Sequence, residues 1–145
     1  MTIFNSQQEI IDNFNLFDDW LDKYQFIIDL GNQLPEFSES YKQDQYKIKG
    51  CQSNVWMYYK LEQIENKNII NIFAVSDSAI VNGLIYLLLS VYNHRTPEEI
   101  LQTSPEFIAV IGLEQHLSPT RKNGLHALLR AVTNIALTTN QINSK

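Results

Sequence analysis

The chain has 145 residues, 44% of them apolar, and a net charge of −5. That is the length of one ordinary domain, able to bury about two-thirds of its unfolded surface. These totals argue against a disordered chain, and the longest apolar runs, such as Leu84 to Leu89, fall far short of the ~20 residues that span a bilayer. The start, Met1-Thr2-Ile3-Phe4-Asn5-Ser6, lacks the basic and apolar parts of an export signal, so a cytoplasmic protein is expected. Residues 1–40 hold eight acids against one base, Lys23, and the remainder holds ten bases against eight acids. A basic groove for nucleic acid is not expected. The acidic portion reads most simply as solvated helix surface, with a basic partner as the alternative.

The segment from Glu9 to Leu30 carries a helical pattern. Ile10, Ile11 and Phe14 form a short amphipathic stretch, and Trp20, Leu21, Tyr24, Ile27 and Ile28 recur at three- and four-residue spacing up to Gly31, a helix stop. From Leu34-Pro35-Glu36 the chain turns irregular. Tyr46 to Ile48 predicts a short edge strand, followed by a loop around Cys51. Val55 to Glu62 alternates as a strand, Glu65 to Asn68 is a polar turn, and Ile69 to Val75 is a second strand, so an antiparallel hairpin follows.

Ser76-Asp77-Ser78 caps a predicted helix from Ala79 to about Tyr92. Thr96-Pro97-Glu98-Glu99 has the capping residue, early proline and glutamate of a helix start. Ser104-Pro105-Glu106 repeats much of that pattern. Ser118-Pro119-Thr120 opens the last helix, whose stripe is Leu125, Leu128, Leu129, Val132 and Ile135. The order α-α-β-β-β-α-α-α predicts one α+β domain over 1–145, a small antiparallel three-stranded sheet with helices packed on it.

Cys51 is the single cysteine. An internal disulfide, a four-cysteine zinc site and an iron–sulfur cluster held within one chain are thereby excluded. Gly50 lets the backbone bend beside the sulfur, and Lys47 and Lys49 are near enough in sequence to favour a thiolate. The residues alone leave two accounts open, a working thiol or a small buried apolar side chain. A thiol enzyme would need a base, but His94, His116 and His126 have no distinguishing motif and read as surface or core-edge side chains. Gly83 and Gly124 fall inside predicted helices, where each costs about 1 kcal/mol relative to alanine. Both positions imply close backbone approach. Arg121 sits in the first turn of the last helix, against the helix dipole, a mild pointer to a partner contact.

Three segments together resemble one family. Gly50-Cys51-Gln52-Ser53-Asn54-Val55-Trp56 is similar to the Gly-Cys-x-Ser-x-Val-Trp signature of the SufE family, the sulfur acceptors of iron–sulfur cluster assembly. Ser76 to Leu84 resembles the family's Ser-Asp-Ala-x-Ile-Val-x-Gly-Leu segment, with Ser78 in place of the usual alanine. His116 to Leu125 resembles its C-terminal Leu-(Ser/Thr)-x-(Ser/Thr)-Arg-x-x-Gly-Leu segment. The likeness runs over roughly residues 8–137.

The resemblance implies a fold shared with the IscU-type scaffolds, and a carrier role, since those scaffolds use three cysteines and this chain has one. It implies that Cys51 takes persulfide sulfur from a SufS-type pyridoxal-phosphate cysteine desulfurase, stimulates that enzyme, and passes the sulfur to a SufBCD-type cluster scaffold. The chain would then be a carrier rather than an enzyme, with no resident cofactor or metal. Nucleic acid and membrane are not among the implied partners, and a homodimer is left open. Gly50, Gln52, Asp77 and Arg121 are implied to shape the Cys51 loop or the desulfurase contact. Gln52-Ser53 favours SufE itself over the CsdE branch, which serves another desulfurase or a tRNA-thiolation route. An interaction domain with an inert Cys51 is the alternative from another class.

Overall fold

The computed structural model describes residues 2–143. The N-terminal helical region is two helices, α1 (Ile3–Phe14) and α2 (Trp20–Gly31). Each has a side-chain cap: Thr2 accepts from the Asn5 N–H at 3.0 Å and Asp19 from the Asp22 N–H at 2.9 Å. The eight acids of residues 1–40 are all solvent-exposed. Strands β1 (Val55–Ile64) and β2 (Lys67–Ser76) form the hairpin, in register from Val55 opposite Ser76 to Ile64 opposite Lys67. Its two-residue turn holds Glu65 and Asn66 at φ 52° and 66°, the left-handed pair that matches the twist of the strands.

Four helices follow: α3 (Ala79–Tyr92), α4 (Pro97–Leu101), α5 (Glu106–Ile111) and α6 (Pro119–Asn143). The expected order held three, because the chain opens separate short helices after Thr96 and after Pro105. Ser78 caps α3 and Thr96 with Glu99 forms a full capping box on α4. The expected Ser104 cap does not form; Pro105 occupies the cap position of α5 without a side-chain bond. No helix among the described residues is long and apolar enough to cross a membrane.

The architecture is α+β, but the sheet has two strands among the described residues, not the expected three. Asp44–Tyr46 is wound into a 3-10 turn and Gly50 turns the chain away at φ 92°. Only a single bridge, Lys47 to Trp56, remains between them. Aromatic packing holds this segment curled: Tyr41 stacks on Tyr58 at 3.6 Å and Tyr46 packs edge-on against Tyr41 at 5.0 Å.

The opposite face of the hairpin supplies Val55, Met57, Ile70, Ile72 and Ala74 to a core shared with all six helices. α3 is the central helix, with Leu84, Ile85 and Val91 essentially buried. α2 crosses it at Gly31 and Gly83, where a Cβ on Gly31 would lie 2.6 Å from the Gly83 nitrogen.

The outer edge of β2 is closed without a third strand. Asn93 accepts from the Ile72 N–H at 2.7 Å and donates to the Ile72 carbonyl at 3.1 Å. Asn82 does the same for Ser76, at 2.7 and 3.0 Å. The Ile70 N–H donates to the Arg95 carbonyl at 2.9 Å, and the His94 N–H to the Ile70 carbonyl at 3.0 Å. Asn93→Ala removes two of these bonds from partly buried backbone groups and is expected to cost about 1–3 kcal/mol. A urea midpoint equal to that of the wild type would show that water replaces the amide there.

Candidate functional site: the Cys51 loop on the last helix

The Ile48 N–H donates to the Val55 carbonyl at 3.0 Å and closes a loop over residues 49–54. A second tie comes from the β2–α3 junction. Asp77 accepts from the Asn54 backbone N–H at 3.2 Å and from the Asn54 side-chain amide at 2.9 Å, and the Asp77 N–H donates to the Asn54 carbonyl at 3.3 Å. The base of the loop is therefore fixed at both ends, and Gly50 and Gln52 are exposed on it.

The loop lies on α6. Cys51 is half-buried, and its thiol donates to the Gly124 carbonyl at 3.6 Å. A Cβ on Gly124 would meet the sulfur at 3.4 Å, and a Cβ on Gly50 would meet Arg130 Nη2 at 2.9 Å and the Ala127 Cβ at 3.4 Å. Gly124, Ala127 and Arg130 recur at three-residue spacing and so line up on one face of the helix. The small residues make the seat, and Arg130 stands at its rim. Of the two glycines expected inside helices, Gly83 admits another helix and Gly124 admits the cysteine.

Two effects act on the thiol in opposite directions. Burial raises its pKa, since a thiolate loses hydration there, and the Arg130 guanidinium lowers it; burial is the larger. The hydrogen bond to a carbonyl also requires the protonated sulfur. The resting site therefore holds a shielded thiol.

Arg130, the cation that acts on Cys51, was not singled out from the sequence. Its signal was its spacing of six from Gly124, legible only once the helix is known to carry the loop. The lysines expected to do this work are elsewhere. Lys47 pairs with Asp44 at 3.6 Å and lies 5.9 Å from the Trp56 ring centroid, while Lys49 is exposed.

Asp77 contacts the loop, whereas Arg121 is exposed one turn before Gly124, its backbone N–H donating to the Ser118 hydroxyl at 3.3 Å. The side chain of Arg121 forms no hydrogen bond or ion pair with the described residues of the loop. The histidines are engaged away from the sulfur: His94 Nδ1 with the Asn71 amide oxygen at 2.6 Å, His116 stacked on Trp20 with Nδ1 on the Gly112 carbonyl, and His126 with Glu114.

The SufE family, described as an Fe-S metabolism associated domain, matches residues 8–136. Among solved structures, the chain is similar to a hypothetical protein from Thermus thermophilus whose structure was determined in solution. The TM-score is 0.72 at 17% identity, over 94% of this chain and 96% of that one. That likeness supports the α+β fold alone. The family match spans nearly the whole chain, including the Cys51 loop, Asp77 and the start of α6: the protein belongs to the SufE, Fe-S metabolism associated, family.

Proposed function

We propose that the protein is a sulfur carrier, with Cys51 as the residue that holds the sulfur. The observation that carries this reading is the placement of the only cysteine on a loop with a fixed base, seated by one weak sulfur hydrogen bond on a glycine. An inert core cysteine would be fully buried, whereas Cys51 is half-buried on a loop whose neighbours Gly50 and Gln52 are exposed.

In the proposed step the Cys51 thiolate attacks the outer sulfur of a persulfide on a SufS-type cysteine desulfurase. A new S–S bond forms on Cys51, the donor's S–S bond breaks, and the desulfurase thiolate leaves. The exchange is redox-neutral. A second exchange delivers the sulfur to a SufBCD-type scaffold in the cytoplasm. Pyridoxal phosphate belongs to the desulfurase and the cluster to the scaffold. This chain is a carrier that stimulates the donor, and catalytic turnover belongs to the donor.

The shielded thiol sets a condition on this transfer. Deprotonation removes the donor of the Cys51–Gly124 hydrogen bond and sets a thiolate against a carbonyl oxygen, so ionisation and release of the loop favour each other. Docking lifts the loop from α6 while Asp77 keeps its base in place. Gln52 and Arg121, both exposed beside the seat, contact the desulfurase.

Intact-mass analysis after incubation with the desulfurase and free cysteine tests the reading. The expected result is an increment of about 32 Da per added sulfur, confined by peptide mapping to Cys51. Cys51→Ser should gain none and should not stimulate the desulfurase. An unlabelled wild type, or full stimulation by Cys51→Ser, overturns the carrier role.

A further inference from the structure

The resting seat of Cys51 suits a neutral sulfur. The thiol is a hydrogen-bond donor, and its acceptor is the Gly124 carbonyl at 3.6 Å. A persulfide changes that chemistry. Its inner sulfur carries no proton and has nothing to donate. Its outer sulfur is bonded to a second, electron-withdrawing sulfur, so it gives its proton to water more readily than an alkyl thiol does. Loading therefore removes the bond that seats the empty loop and adds a negative charge beside it. The loaded loop stays on α6 only if a cation takes over from the lost donor.

Arg130 is placed to do this. A Cβ on Gly50 would lie 2.9 Å from Arg130 Nη2, so the guanidinium abuts the residue next to Cys51. Long helical side chains lean toward the helix N-terminus, which brings Arg130 back over the turn of Ala127, toward Gly124. The direction into the helix is closed, because even a Cβ on Gly124 would meet the Cys51 sulfur at 3.4 Å. An outer sulfur, about 2 Å further on, is therefore turned toward the rim, where Arg130 stands. Arg130 is exposed and enters no ion pair or side-chain hydrogen bond among the described residues. The other charged groups near the seat are differently engaged. Asp77 holds Asn54, and His126 pairs with Glu114. Lys49 and Arg121 are exposed, and Arg130 is the cation that acts on the resting sulfur.

We propose that Arg130 is the positioning residue of the loaded state: it pairs with the anionic outer sulfur of the Cys51 persulfide and holds the loaded loop on α6. The empty loop is held by a neutral hydrogen bond and the loaded loop by a charge pair. The inference rests on Cys51 as the sulfur-bearing residue, and its test uses no desulfurase, so that the two readings can fail separately.

The full chain is loaded with inorganic polysulfide. The Cys51 thiolate attacks a polysulfide sulfur, one S–S bond forms as another breaks, and a shorter polysulfide leaves. The persulfide is then alkylated between about pH 5 and pH 9. Intact mass gives the adduct, which a reductant removes from a persulfide but not from a thiol. The wild type should label in mildly acidic solution. Arg130→Ala should label about three- to tenfold more slowly there and reach a plateau at least as high in alkali. Arg130→Lys should keep most of the wild-type profile, and Lys49→Ala should stay within about twofold of it. An Arg130→Ala profile equal to the wild type, or slowed equally at every pH, overturns the proposal. So does an equal effect of Lys49→Ala, which would mean that only overall charge matters, or a Cys51 that polysulfide does not load. An Arg130-dependent profile in a chain that the desulfurase cannot load supports this inference and overturns the carrier role.

Discussion

Gly83→Ala is expected to destabilise the protein by about 2 kcal/mol or more, lowering Tm by about 5 °C or more. The added methyl would run into the backbone carbonyl of Ile27 and its side chain, so the obstacle is not the far end of a flexible side chain. Relief requires α2 and α3 to separate, which opens the packing around Ile27 and Leu84, both fully buried. The gain of about 1 kcal/mol in helix propensity from glycine to alanine only partly offsets this. Gly124→Ala makes the contrast. Its methyl would reach the Cys51 sulfur at ordinary contact distance, 3.4 Å, and the propensity gain should leave stability unchanged or improved. Urea denaturation with m-values compared reads both variants. A Gly83→Ala protein as stable as the wild type would mean that the two helices do not cross at this glycine.

Arg130→Ala is expected to slow alkylation of Cys51 at pH 8 by about two- to tenfold. Burial already holds the thiol above its ordinary value, and Arg130 is the charge that partly offsets it. Removing that charge raises the pKa further and leaves less thiolate at a given pH. Arg130→Lys keeps the charge and should keep most of the rate, which separates electrostatics from packing against Gly50. A faster reaction in Arg130→Ala would show instead that the side chain mainly shields the sulfur.

The same shift fixes a sign for stability. Below the ordinary thiol pKa of 9.0 folded and unfolded chains are both protonated, and the contribution is fully present. As pH rises past that value the unfolded chain ionises first and binds fewer protons, so stability falls until the folded pKa is passed. The part of the alkaline loss that depends on this thiol should vanish in Cys51→Ser, as read by denaturation midpoints at pH 8 and pH 10.

Much of the fold is local and could be read without coordinates. The cap at Ser78, the capping box at Thr96 and the switch of period at Val55 depend only on neighbouring residues, and the structure places α3, α4 and the hairpin accordingly. The edge strand at Tyr46 to Ile48 failed for a non-local reason. Tyr41 and Tyr46 pack with Tyr58, a residue of β1, and that contact curls the chain where its own pattern allowed extension.

Composition and local pattern alone show that any cysteine chemistry rests on one thiol, that Gly50 can bend the chain beside it, and that two glycines, Gly83 and Gly124, stand inside helices where a close neighbour is expected. Tertiary structure alone decided what each glycine admits, because the answer lies on another element: Ile27 for Gly83 and Cys51 for Gly124. It also decided which cation faces the sulfur. Lys47 and Lys49 are nearest in sequence, yet Arg130 is the one in place, since electrostatic interaction depends on distance through space and the folded chain seats the loop on α6.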